Sequence, residues 1–205
     1  MMFTDRTEAG HALAADLADL TGRNPLVLAL PRGGVPVAAA IAEALGADLD
    51  LLLVRKLGVP GREELAMGAI SEGGIRVLNR GIIEHSRVTP EQFADVEEFE
   101  TFELERRAAL WRRTDMIPRA GRLALIVDDG VATGATAEAA CRVAEAAGMA
   151  GIVLAAPVAP PEAAGRIRAL GVDLRCRVDD RFSSVGAAYS DFHQLSDDEV
   201  AQYLQ

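Results

Sequence analysis

Residues 123–136 read Leu-Ala-Leu-Ile-Val-Asp-Asp-Gly-Val-Ala-Thr-Gly-Ala-Thr, and this segment limits the possible folds more than any other in the chain. The apolar run Leu123 to Val127 predicts a strand buried on both faces of a parallel sheet. Asp128 and Asp129 end it, a small-residue turn follows, and Ala135–Ala147 reads as a helix. Strand, turn and helix in that order put the turn at the carboxyl edge of a sheet, where open α/β folds take their ligands. The helix begins among Thr133, Gly134 and Thr136, whose backbone N–H groups and hydroxyls suit a phosphate. Two carboxylates beside such a cradle would repel the anion unless sugar hydroxyls or a divalent cation lay between them. The turn therefore asks for a phosphorylated sugar. An ordinary solvated loop would carry the same residues, and pattern alone leaves both readings open.

The remaining chain predicts more of the same architecture. Leu26–Leu30, Leu49–Val54, Gly151–Pro157 and Val172–Val178 read as further strands, and Pro36–Leu45 and Pro161–Leu170 as helices between them. An N-terminal helix is expected over about Asp5–Leu20, with Asp5 and Glu8 at capping-box spacing and Gly22 as its stop. Thr89-Pro90-Glu91-Gln92 opens a long helix to about Arg113, acids first and arginines last, as the helix dipole favours. Ser196 and Glu199 cap a short terminal helix. The alternation of strands and helices predicts an α/β fold with a largely parallel central sheet flanked by helices.

Composition narrows the function. At 205 residues the chain is expected to form one domain, 1–205, with a core over about 24–178, the helix 90–113 inserted into it and a terminal piece from 179. A formal charge of −10 weighs against a nucleic-acid surface. No apolar run is long enough to span a membrane and no secretory leader opens the sequence, so a cytoplasmic protein is expected. Cys141 and Cys176 lack metal-ligand spacing and read as reduced packing residues.

The segment Val127 to Thr136 resembles the phosphoribosyl pyrophosphate (PRPP) motif of type I phosphoribosyltransferases: an apolar strand, two acids, a short spacer and Thr-Gly-x-Thr. That resemblance implies a Mg²⁺-dependent glycosyltransferase moving ribose 5-phosphate from PRPP to a nitrogen acceptor with release of pyrophosphate. Asp128 and Asp129 would hold the ribose hydroxyls. Ala132, Thr133, Gly134, Ala135 and Thr136 would cradle the 5′-phosphate, and the Mg²⁺ would be held mainly by PRPP rather than by a protein metal site.

Pro31-Arg-Gly-Gly34 follows the first strand as the acids follow a later one; its glycines permit close approach of backbone to ligand, and Arg32 could fork onto phosphate oxygens. By resemblance this is the pyrophosphate loop, Arg32, Gly33 and Gly34 its binding residues and Pro31–Arg32 its cis peptide. Arg55 and Lys56 end the second predicted strand, where family members carry a mobile catalytic loop; Lys56–Gly74 is expected to be that loop, with short extended pieces near Ala66–Ile70 and Ile75–Leu78 and with Arg62, Glu63 and Glu64 at its tip. The stretch from Asp180, with Phe182, Tyr189 and Phe192, resembles the hood over the acceptor base, and Phe182 is the expected stacking residue. His193 is a possible substrate contact by position only.

Ala132 departs from the 6-oxopurine members, which carry an acid there, so their base-proton mechanism is not expected. A homodimer is possible by family habit. The competing readings are a PRPP-binding regulator without catalysis and an unrelated α/β enzyme, but no dinucleotide, Walker or nucleophile-elbow motif is present.

Overall fold

The computed structural model describes residues 2–112 and 115–204. Five parallel strands form the central sheet: β1 (Pro25–Ala29), β2 (Asp48–Leu51), β6 (Leu123–Val127), β7 (Gly151–Ala159) and β8 (Asp173–Val178), in the spatial order β2-β1-β6-β7-β8. Every residue of β1 is buried, as a strand covered on both faces requires. Alternate side chains divide the core. Val27, Ala29, Leu125, Val127 and Val153 pack under α1 (Arg6–Ala15) and α2 (Gly34–Leu45). Leu26, Leu28, Ala124, Ile126 and Leu154 pack under α5 (Ala135–Ala146) and α6 (Pro161–Arg168).

Three further strands make a separate antiparallel sheet: β3 (Val54–Val59), β4 (Arg62–Ser71) and β5 (Ile75–Leu78). Short α3 (Arg80–His85) and the 22-residue α4 (Pro90–Trp111) follow it. Leu57, Met67 and Ile70 of this sheet join the core that contains Leu104 and Trp111 of α4, while Ala69 packs in the core of α5. The chain closes with α7 (Asp197–Gln202), whose Ser196 and Glu199 form the expected reciprocal cap.

Three expectations change. The stretch 56–74, expected as a loop with only short extended pieces, is mostly a long hairpin turning at Pro60 and Gly61, with the expected extended piece at 66–70 inside β4. Its internal glycines serve crowding rather than hinging: a Cβ on Gly58 would lie 2.7 Å from the Glu63 carbonyl, and one on Gly68 2.7 Å from that of Val77. The second sheet strand stops at Leu51, and Val54 already belongs to the hairpin. The first helix ends at Ala15 and tightens into a 3-10 turn at Ala18–Leu20, which turns both Leu17 and Leu20 fully inward. The long helix keeps its predicted start, with Thr89 and Gln92 capping reciprocally. Arg113, its expected end, lies outside the described residues.

Candidate active site

Two loops singled out in the sequence meet at the carboxyl ends of β1 and β6. The strands pair with Ala29 opposite Val127, and the N–H of Leu30 donates to the Val127 carbonyl at 2.9 Å. The loop Pro31–Gly34 therefore rests directly on the acid turn. A Cβ on Gly33 would collide with the Asp129 carboxylate, and one on Gly34 would sit 2.5 Å from the Val127 oxygen. Both glycines are needed for this approach. The Pro31–Arg32 peptide is cis.

The acid pair is partly shielded and unequally supported. Asp129 accepts a hydrogen bond from Arg6 Nε at 2.9 Å. Arg6 is itself buried, donates to the His193 carbonyl at 3.0 Å and lies 4.0 Å over the Phe192 ring. The Tyr189 hydroxyl donates to the Asp129 backbone carbonyl at 2.5 Å. Asp128 has no such cation; its carboxylate accepts the N–H of Asp129 at 2.9 Å. Protein atoms surround Asp128 closely although a part of its surface still meets solvent. Burial, followed by the charge of Asp129, pushes the Asp128 carboxyl well above the usual carboxylate range. Burial also raises Asp129, with Arg6 opposing. The pair thus holds a proton on Asp128 to higher pH than an ordinary carboxyl would, or favours an outside group that donates to it.

The turn beyond opens onto α5. Gly134 takes φ 83°, which turns the chain into the helix. The N–H groups of Ala132, Thr133, Gly134 and Thr136 donate to no acceptor among the described residues, and Ala135 makes only a long 3.4 Å bond to the Thr133 hydroxyl. Ala132, Thr133 and Thr136 are exposed. This is an open set of donors aimed outward from a helix start, the arrangement that receives phosphate.

Beside it lies a small pocket lined by Pro31, Leu53, Arg55, Leu104, Arg107 and Thr136. Arg55 is tied to Glu100 of α4, at 2.6 Å from Nε and 2.5 Å from Nη2. Arg107 makes no hydrogen bond or ion pair with any described residue and lies 5.8 Å from the Trp111 ring centroid. Burial, then the charge of Arg55, lowers its affinity for its proton. A guanidinium that makes no ion pair of its own, with Glu103 acting on it only through space and a second arginine beside it, is a place for an anion.

Not every predicted residue reaches this edge. Arg32 turns toward the C-terminal segment, donating to the Leu195 carbonyl at 3.0 Å and approaching Asp197 at 3.3 Å. Lys56 stands 3.4 Å from Glu64 and lines a different hollow, with Val59, Pro60 and Phe99. Neighbouring strand residues point to opposite sides, so Arg55 and Lys56 do not act as a pair. Phe182 packs with Phe3 and Val185 around Tyr189 rather than standing alone. Phe192 stacks on Tyr189 at 5.1 Å and remains partly exposed. His193 faces Asp191 and Glu199 at 3.0 Å each, and these acids raise its affinity for a proton.

Arg6 and Arg107 are the site residues that sequence reading missed, and Tyr189, read there as part of the hood, also reaches the Asp129 carbonyl. A single arginine in a first helical turn carries no signal of a partner 123 residues away. Arg107 sat among four arginines that the helix dipole already explained. Among the described residues no group of three or more His, Cys, Asp or Glu could hold a metal alone. No helix among them is long and apolar enough to cross a membrane. Both cysteines are free thiols, and burial pushes Cys141 up to about 12, which makes it unreactive.

A sheet edge with an acid pair, a glycine loop seated on it and an open helix cradle defines a phosphoribosyltransferase-like site. The profile of the phosphoribosyl transferase domain matches residues 5–192, and the chain belongs to that family. A Mycobacterium tuberculosis protein provisionally named a phosphoribosyl transferase is 48% identical over 205 residues, covering 99% of this chain but 46% of that protein. The chain thus spans about half the length of such curated relatives. The solved structure of TT1426 from Thermus thermophilus is similar throughout, with 42% identity, a TM-score of 0.91 and coverage of 100% of this chain and 98% of that one. AQ2163 from Aquifex aeolicus, at 13% identity and a TM-score of 0.51 over 84% of this chain and 73% of its own, shares the fold.

Proposed function

We propose that the chain, as a single domain, transfers the ribose 5-phosphate group of PRPP to a nitrogen acceptor, with pyrophosphate leaving. The observation that carries this reading is the contact of Gly33 with the Asp129 carboxylate, which makes the glycine loop and the acid turn one surface beside the open helix start. Asp128 and Asp129 would accept from the ribose hydroxyls. The N–H groups of Ala132 to Thr136 and the Thr133 and Thr136 hydroxyls would hold the 5′-phosphate. The Pro31–Gly34 backbone with Arg55 and Arg107 would hold the pyrophosphate, Arg55 exchanging Glu100 for it.

Transfer develops positive charge on the ribosyl carbon and negative charge on the leaving group, so placement between an acidic and a basic end is the main demand. Mg²⁺ fits as part of the ligand: it would supply neutralisation of the leaving pyrophosphate, and the shielded acid pair tolerates added positive charge. With their present neighbours, Lys56 and Phe182 would contribute only if the hairpin and the C-terminal segment shift on binding.

One observation favours a second reading, in which PRPP is bound without transfer: Arg6 already neutralises Asp129. Pyrophosphate release in the presence of PRPP, Mg²⁺ and a panel of nucleobases and amines distinguishes the two. Release with any acceptor supports transfer. A rise in melting temperature with PRPP but no release supports binding alone, and no rise at millimolar PRPP overturns both.

A further inference from the structure

The long helix α4 has two stripes. Its inner stripe, Phe93, Val96, Leu104 and Trp111, packs into the core. Its outer stripe is exposed along its length and runs Gln92, Asp95, Phe99, Phe102, Arg106, Ala109. The spacing alternates three and four residues, which is the a/d seam of a coiled coil. Any helix face has this spacing, and a solvated one is ordinarily polar. Yet Phe99 is 61% exposed and Phe102 63% exposed, more than any other large hydrophobic residue among those described.

The stripe is also symmetric in chemistry. Counted outward from the peptide bond between Glu100 and Thr101, the second residues are Phe99 and Phe102, and the sixth are Asp95 and Arg106. An antiparallel copy of the same helix, related by a two-fold axis through that bond, therefore sets Phe99 against Phe102 and Asp95 against Arg106, twice over. The Asp95 carboxylate bonds to no described residue, and the Arg106 side chain reaches only Glu103 on its own helix, at 3.0 Å. A hollow lined by Val59, Pro60, Val96 and Phe99 lies beside the stripe and offers room for an incoming ring.

We propose that a second copy of this chain docks here, forming a two-fold dimer through antiparallel α4 helices. The seam is about 26 Å long at 1.5 Å rise per residue. Helix pairing alone falls short of the roughly 800 Å² per partner of a standard interface, which places this contact among the weak, concentration-dependent ones. Arg107 and Leu104 face the other way and stay at the ligand pocket, which leaves the pocket and the interface separable.

Sedimentation or light scattering of the wild-type chain across the micromolar range should show a concentration-dependent dimer. Phe99→Ser with Phe102→Ser should abolish it with the melting profile of a folded monomer retained. Asp95→Arg alone and Arg106→Asp alone should each weaken association at least about tenfold, because each sets like charges opposite one another. Mixing those two variants, or combining both changes in one chain, should restore it. A wild-type monomer throughout that range, or a dimer that persists unchanged in the two swaps, would overturn the proposal. So would swaps that weaken association without rescue by the mixture, since the antiparallel register requires it.

Discussion

The two ends of the candidate site are built on opposite electrostatic plans. At the acid turn a carboxylate pair is enclosed, and one member is answered by a buried arginine drawn from α1. At the pocket under α4 two arginines approach one another, and of the two only Arg55 makes an ion pair with an acid. At the acid end Asp129 is answered from within, which couples that end directly to folding. The basic end is left partly unanswered and has more to gain from a ligand than from the protein. A molecule with hydroxyls at one end and phosphates at the other fits that polarity.

The sharpest way to break the contrast is Arg6→Ala. Removing one partner of a buried pair strands the other, and a loss of about 3 kcal/mol or more is expected. Chemical denaturation followed by circular dichroism measures it; a loss within about 0.5 kcal/mol, the ordinary surface value, would show that the acid end is not internally balanced.

Asp128→Asn should act in the opposite direction. A carboxyl whose folded value is raised binds its proton more tightly in the folded state. Stability is then greatest below the unfolded value of about 4 and falls as pH rises from there through the folded value. An asparagine has no proton to lose and can still accept the Asp129 N–H. Melting temperatures across pH 4 to about 8 should therefore show the variant gaining on the wild type as pH rises. Parallel curves would mean that Asp128 ionises as an ordinary acid. The same change should weaken binding of PRPP, since a neutral amide is a poorer acceptor for ribose hydroxyls.

The smallest effect on stability belongs to Arg107→Ala. With no ion-paired acid to strand and a like charge removed from Arg55, stability should change by less than about 0.5 kcal/mol. Affinity for pyrophosphate, by calorimetry, should fall about tenfold, which is about 1.4 kcal/mol. Unaltered affinity would confine the anion site to the Pro31–Gly34 loop.

How much of this could be read beforehand follows the range of the interactions. Leu123–Val127, the helix from Ala135 and the Thr89–Gln92 cap announce themselves within a few residues, because periodicity and capping are local. The glycines at 33 and 34 were visible as a turn, but their contact with Asp129 depends on β1 and β6 lying side by side, and 90 and more residues separate them in the chain. The hairpin was misread for a related reason. Gly58, Pro60, Gly61 and Gly68 look like breaks, and only the neighbouring carbonyls reveal that two of them relieve crowding inside a sheet.

The same physics hid a buried ion cluster. Asp50 at the end of β2 accepts from Arg112 at 2.7 Å and from the Ile117 N–H at 3.2 Å, while Arg112 also holds Glu72 at 2.7 Å. No two of Asp50, Glu72 and Arg112 are close enough in sequence to form a motif.

The seating of Gly33 against Asp129 has a consequence for descent as well as for chemistry. Any single-base change that gives residue 33 a side chain pushes into the carboxylate, and through it into Arg6 and the C-terminal segment that Arg6 holds. The loop and the acid turn cannot drift apart by small tolerated steps. A lineage that abandons one has to abandon the other, so a phosphoribosyltransferase relative that has lost its acid pair should show a relaxed, substituted position 33 as the matching scar.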